Sequence, residues 1–203
     1  MNNIIVSESA LAPKEINCTG EGNKIFVEDG AVLNGFVITV RGNNNYIRIG
    51  KKCSLKGRIF LNGHHSLVSI DDETTAVDVR ITAGGRKKII IGKDCMFSRK
   101  IEVRCWDEHP IFDIASKEQI NFGKDVLIGD HVWVGVGVTI NKGAEIPDGC
   151  VIGSNSIVTK KLSVKNSIYV GAPAKIYKEG IIWGRKAHLT PWNHLNEDDE
   201  LVF

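Results

Sequence analysis

Large aromatic side chains are scarce in this chain: Phe, Trp and Tyr together make up 7%. A thick core built around rings is therefore not expected. Long apolar runs are missing too. No stretch approaches the ~18 residues a membrane-spanning helix needs. The opening Met1-Asn-Asn-Ile-Ile-Val-Ser has neither the basic n-region nor the apolar stretch of a secretion signal. There is no C-x-x-C pair among the five cysteines, an odd number that suits reduced thiols in the cytoplasm. Charge of one sign is not in excess: 26 Lys+Arg against 24 Asp+Glu leave +2, too little for a general nucleic-acid binder. What remains is a globular balance of 42% hydrophobic and 25% charged residues in 203, enough for one ordinary domain or two very small ones. Glycine, at 21 residues, stands above the usual ~7%. With many Val and Ile, it points to short strands joined by tight corners.

A repeat organises the chain. From Ile128 an apolar residue recurs every six positions: Ile128, Val134, Ile140, Ile146, Ile152, Val158. Four places after each of the first five stands a smaller residue: Val132, Val138, Ala144, Cys150, Ser156. Glycine fills the turn-like places between them. A period of six fits neither a helix nor a hairpin ladder. It fits a coil with flat sides of about six residues, large aliphatics inward and Gly, Asn or Asp at the bends. Earlier pieces follow the same spacing: Val27, Leu33 and Thr39 with Ala31 and Val37; Ile49, Leu55 and Leu61 with Cys53 and Ile59; Ile91, Phe97 and Val103 with Cys95 and Ile101. Cys53, Cys95 and Cys150 thus share one inward site, a packing role and not a zinc or disulfide role.

Two segments interrupt the period. Residues 62–88 hold His64-His65, an acidic run and Gly84-Gly85-Arg86, and are read as coils with irregular corners or as a break. Residues 105–124 are polar, contain Pro110, and are read as a loop thrown out from the solenoid. The pattern stops after Val158. The division expected is a β-helix domain over 1–178 and a C-terminal cap and tail over 179–203, with a short helix within Ile176–Arg185 covering the open end.

The run Ile128-Gly-Asp-His-Val-Trp-Val-Gly-Val-Gly-Val-Thr-Ile resembles the hexapeptide-repeat acyltransferases, whose fold is a left-handed parallel β-helix. The hand comes from that resemblance; the general rule for parallel crossovers favours the other. The loop Asp107-Glu108-His109-Pro110-Ile111-Phe112, with Trp133 24 residues after His109, resembles galactoside and polysaccharide O-acetyltransferases. Most similar are the capsular polysialic-acid O-acetyltransferases, through Ile91-Gly-Lys-Asp-Cys-Met, the His-Pro-Ile loop, Gly-Lys-Asp-Val and the ending Ile182-Trp183-Gly184-Arg185-Lys186. The likeness covers roughly residues 40–187.

The resemblance implies acetyl transfer from acetyl-coenzyme A to a sugar hydroxyl of a bacterial surface polysaccharide, sialic acid being one candidate, with no metal required. An alcohol holds its proton too tightly to attack a thioester unaided, and imidazole suits the task of base. His109 falls where the family places its catalytic base. Asp107, Glu108 or a backbone carbonyl could orient the ring, Asp107 first among the side chains. Trp133 lies on the outward face between Val132 and Val134 and is placed by the resemblance beside the reacting groups. Lys160, Lys175 and Lys178 match basic positions of the donor site, and Ser154 and Thr159 match residues touching the donor arm. Val136 departs from the often polar position three after the Trp, so a contact there is lost or supplied by backbone. His131, at a repeat corner, and His64-His65 read as surface residues.

A homotrimer with its sites between subunits is expected by resemblance. A narrow coil cannot enclose a coenzyme-sized ligand, so a groove between coils suits it. A cytoplasmic chain without nucleic-acid partner or membrane span completes the expectation. The alternatives are an acetyltransferase acting on a small molecule such as an antibiotic, amino sugar or serine, a zinc carbonic-anhydrase-like protein, and a non-catalytic β-helix that only binds partners.

Overall fold

The computed structural model describes residues 1–185. The chain winds as parallel coils around a triangular prism. The first four coils carry β1 (Asn3–Val6) and β2 (Glu15–Thr19), β3 (Lys24–Val27) and β4 (Val37–Arg41), β5 (Tyr46–Ile49) and β6 (Ser54–Asn62), β7 (Leu67–Ile70) and β8 (Thr75–Gly84). The next three carry three strands each: β9 (Lys88–Ile91), β10 (Met96–Phe97) and β11 (Ile101–Arg104); β12 (Val126–Ile128), β13 (Trp133–Val134) and β14 (Thr139–Ile140); β15 (Glu145–Ile146), β16 (Val151–Ile152) and β17 (Ile157–Val158). β18 (Ser167–Val170) and β19 (Lys175–Glu179) close the stack.

The first face of the prism is the seven-stranded parallel sheet β1-β3-β5-β7-β9-β12-β15. The second face runs through β10, β13, β16 and β18, and the third through β2, β4, β11, β14 and β17. Strands β6 and β8 bend across the corner between the second and third faces and join them into one twelve-stranded sheet.

Alternation along each strand sends every second side chain inward. The six-residue series Ile128 to Val158 is wholly buried, and so are Val132, Val138, Ala144, Cys150 and Ser156. The five cysteines are unpaired, and Cys53, Cys95, Cys105 and Cys150 are buried. Burial pushes the Cys53 and Cys95 thiols up to about 12 and that of Cys105 to about 11, so none of the three is a ready nucleophile.

The corners explain the glycines. At the corner between the first and second faces, Asp72, Asp130 and Asp148 accept the backbone N–H of Lys51, Lys93 and Asp130 at 2.8–2.9 Å. Each carboxylate lies over a glycine of the preceding coil. A Cβ at Gly50, Gly92 or Gly129 would meet it at 2.1–2.4 Å. At the corner between the third and first faces, buried Asn23, Asn45 and Ser66 form a polar ladder. The Asn23 Oδ1 accepts the Asn45 N–H and the Asn45 Oδ1 accepts the Ser66 N–H, both at 3.0 Å.

Two sequence expectations change, and one left open is decided. Val37 and Thr39 face outward, and Phe36, Ile38 and Val40 fill the core instead. The corner Asn34-Gly35 spans Leu33 to Phe36, one residue less than the corner from Phe97 to Ile101, and one residue reverses the face of a strand. Of the two readings of residues 62–88, the structure has the coils: β7, β8 and the start of β9 stack on their neighbours, with one register shift where β8 pairs with β6. The short helix expected within Ile176–Arg185 is not formed. Lys175–Glu179 is a strand pairing antiparallel with β18. A solenoid ending leaves a row of unpaired backbone groups, and an antiparallel strand satisfies them where a helix would not.

Candidate active site

The loop after β11 leaves the corner between the third and first faces at Cys105 and returns at Val126. It is an ordered hairpin. Ile120 donates its N–H to Ile111 O, Asp113 donates to Glu118 O, both at 2.9 Å, and the Asp113 carboxylate caps the N–H groups of Ala115 and Ser116. Asn121 ties its base: its amide donates to Asp107 Oδ2 at 3.0 Å and to the His109 carbonyl at 2.9 Å, while its Oδ1 accepts the Ile111 N–H at 2.7 Å. Lys142, on the same corner one coil on, donates to Asp107 Oδ2 and to Asn121 O. The Lys142 bond, then that of Asn121, holds Asp107 below the ordinary carboxylate range. The bonds of Asp107 therefore fix the loop base and do not include the His109 ring, which is exposed. The tip is apolar: Ile111, Phe112, Ile114, Ile120 and Phe122 are all more than half exposed.

Trp133 projects from the second face, 39% exposed, in register with Met96 on one side and Val151 on the other. Beyond β19 the chain turns back as a strap along the corner between the first and second faces. Trp183 stacks on the His131 ring at 4.0 Å and meets the Trp133 ring, tilted, at 5.9 Å. Its indole N–H donates to His131 O, and His131 bonds through Nε2 to Trp183 O, both at 3.0 Å. His131 Nδ1 is bonded to Asp94 at 2.5 Å. Arg185 completes the clasp, donating to Asp94 Oδ1, Thr75 Oγ1 and the carbonyls of Glu73 and Cys95. His131, read from sequence as a surface corner residue, is the half-buried centre of this clasp. Neither it nor Trp183 and Arg185 was assigned a site role by the repeat pattern, because their partners lie 37 to 112 residues away.

We expect Arg185→Ala to release the strap. Acrylamide quenching of tryptophan fluorescence should rise clearly while the thermal midpoint stays close to that of the parent, since no core side chain loses a contact. Unchanged quenching would mean that stacking on His131 alone holds Trp183.

The sequence-predicted residues fall into two groups. His109 and Asp107 lie at the corner between the third and first faces, and Thr159 and Lys160, at the end of β17, lie on that same corner further along the axis. Trp133, Ser154, Lys175 and Lys178 belong to the second face and its margin, Lys175 and Lys178 on β19. In a triangular prism that face is opposite that corner. Val136 is exposed, and its backbone carbonyl accepts the Asn155 N–H at 2.7 Å. Within one chain, the His109 loop and Trp133 therefore stand on opposite sides of the prism.

The stacked hexads and projecting loop define a class, the β-helical transferases. Residues 125–160 match the family described as bacterial transferase hexapeptide (six repeats). Across most of its length the chain is similar to a polysialic acid O-acetyltransferase of Neisseria meningitidis, 38% identical over 191 residues, covering 83% of this chain and 89% of the relative. It is 40% identical over 140 residues to a polysialic acid O-acetyltransferase of Escherichia coli O1:K1, covering 69% of this chain and 45% of that one. The solved polysialic acid O-acetyltransferase OatWY superposes with a TM-score of 0.69 at 32% identity, over 98% of this chain and 96% of that chain. The polysialic-acid-specific acetyltransferase NeuO superposes at 0.70 with 34% identity, over 92% and 83%. The chain belongs to the hexapeptide-repeat acetyltransferases, within the polysialic acid O-acetyltransferase family, and is an acetyltransferase.

Proposed function

We propose that this protein transfers an acetyl group from acetyl-coenzyme A to a hydroxyl of a sialic-acid-containing surface polysaccharide, with His109 as general base. The placement of His109 on an ordered, outward loop, opposite the face that carries Trp133, supports this reading. His109 takes the proton of the sugar hydroxyl as its oxygen attacks the thioester carbonyl. The carbon–sulfur bond then breaks, and the proton passes to the departing coenzyme A thiolate. Asp107 serves the base indirectly: with Lys142 and Asn121 it fixes the backbone from which the imidazole projects.

The working site is completed by a neighbouring copy. Five large apolar side chains at the loop tip are exposed in the single chain, the kind of surface that a subunit contact covers. In a homotrimer each loop reaches the second face of the next chain, where Trp133 packs on the acceptor or the pantetheine arm and Ser154, Lys175 and Lys178 meet the donor. Thr159 and Lys160, on the loop's own corner, meet the donor from the other side. Trimer, donor and cytoplasmic setting form one proposal.

Incubation of the purified protein with acetyl-coenzyme A and oligosialic acid, read by mass spectrometry, tests it. A gain of one acetyl per transferred group, with free coenzyme A released, is expected; release without any sugar product would overturn the acceptor. Trp133→Ala should lower activity about tenfold, the cost of one lost aromatic contact, and leave the oligomer intact by light scattering. A monomeric or unfolded product would show Trp133 to be structural.

A further inference from the structure

On the third face, beside the loop, the coils stack arginines. Arg58 of β6 stands directly in register with Arg80 of β8, and Arg80 with Glu102 of β11. The next outward row is Phe60, Thr82 and Arg104. Neighbouring strands lie ~4.8 Å apart, so two guanidinium groups in register repel each other unless an anion sits between them. The protein supplies too few. Glu102 is shared, 3.7 Å from Arg80 and 3.5 Å from Arg104. Arg58 has no carboxylate partner among the described residues. Arg41 adds a further cation, its guanidinium 5.5 Å from the Phe60 ring.

These side chains line a cleft of about 330 Å³ walled by Arg58, Phe60, Arg80, Arg104, Trp106 and Glu108. Phe60 and Trp106 are half-buried and offer apolar faces between the cations. Trp106 also keeps a buried indole nitrogen with no protein partner. Glu108 is the neighbour of His109 in sequence, so the cleft opens beside the proposed base.

We propose that this cleft is the acceptor subsite and that Arg58, Arg80 and Arg104 bind carboxylates of consecutive acidic sugars, with Phe60 and Trp106 packed on their rings. The inference rests on the acceptor class proposed above and deepens it: the enzyme reads the charge of its acceptor. Bidentate guanidinium–carboxylate pairing gives the geometry, and an incoming carboxylate between Arg58 and Arg80 replaces their mutual repulsion with two attractions. Arg58 and Arg104 lie two coils apart, roughly 10 Å along the axis, a span suited to more than one sugar. The donor's phosphates are not the occupant proposed, because none of Ser154, Thr159, Lys160, Lys175 and Lys178 lines this cleft.

Calorimetric titration of the wild-type protein with oligosialic acid, and with the same oligomers after reduction of their carboxyls to alcohols, reads the subsite directly; initial rates give KM in parallel. Arg58→Gln and Arg80→Gln should each weaken binding of the carboxylated oligomer about tenfold, the worth of one charged hydrogen-bonded contact, and raise its KM while moving kcat little. Carboxyl reduction should weaken wild-type binding similarly, and the substitutions should add little to that loss. Both arginines are exposed and repel each other, so the thermal midpoints should not fall. Arg58→Lys, keeping the charge and losing the fork, should be intermediate. Equal binding of charged and reduced oligomers by the wild type would overturn the inference. So would variants that bind the charged oligomer as the parent does, or that lose both oligomers equally. A wild type that binds the charged oligomer through these arginines yet acetylates none of it would sink the proposed acceptor and leave the subsite standing.

Discussion

His109→Ala should lower turnover about 100-fold or more, the contribution of a positioned general base. The KM for acetyl-coenzyme A should change little, since the donor residues assigned here do not include the imidazole. The fold should survive. His109 is exposed, and its loop is held by its own backbone and by Asn121, Asp107 and Lys142. His109→Ala removes none of these contacts, because Asn121 bonds to the carbonyl of residue 109 and not to its ring. Steady-state rates with oligosialic acid, beside circular dichroism and light scattering of the same preparation, check all three points. Near-normal turnover in a folded oligomer would remove the base from the mechanism. A loss of activity accompanied by loss of the oligomer would instead assign His109 to the subunit contact.

The second large effect is complementation. Chains carrying His109→Ala and chains carrying Trp133→Ala are each impaired. Co-expressed, they would form mixed assemblies of the proposed trimer, in which some sites draw the loop from one kind of chain and the second face from the other. Random mixing in a cyclic assembly leaves about a quarter of such shared sites with both residues intact. Activity of the mixture should therefore stand well above the mean of the two parents. The result follows from the proposed assembly, since the loop's corner and the Trp133 face lie on opposite sides of one prism. A mixture no better than the parental mean would place both residues in one chain's site, and the loop would then have to fold back across the first face. Separate tags on the two chains, purified in series, isolate the mixed species and exclude dilution as an explanation.

Much of the architecture is legible in the residue order because it is local. A strand alternates its faces, and a corner wants Gly, Asn or Asp, so six-residue sides reveal themselves wherever the corners keep constant length. Ile49, Leu55, Leu61, Ile91, Phe97 and Val103 are all buried on that logic. The logic fails at Thr39, where the shortened corner Asn34-Gly35 shifts the register by one residue. It also hides the coils across residues 62–88, where the ten-residue strand β8 outlasts the six-residue side. The expected C-terminal helix failed for a related reason: a free sheet edge, invisible in a linear reading, selected a strand.

The site is less local. His109 and Trp133 could be singled out by residue type, loop context and family resemblance. The partner of Asp107 could not, because Lys142 reaches it only once the next coil is wound. The strap from Trp183 to Arg185 and the in-register Arg58–Arg80 pair depend likewise on stacking. Arg58 and Arg80 belong to different coils and share a register only because the corners between them add up to one full turn.

The order of residues alone thus determined the coil, its inward set, the packing role of the cysteines and the identity of the proposed base. Winding the coil decided which charged groups touch, where Trp133 is buttressed, and that the proposed base and the Trp face lie on opposite sides of one chain. The reason is physical. Alternation and turn chemistry act between neighbours in the chain, whereas ion pairs and stacked rings act between coils, across distances that the sequence does not measure.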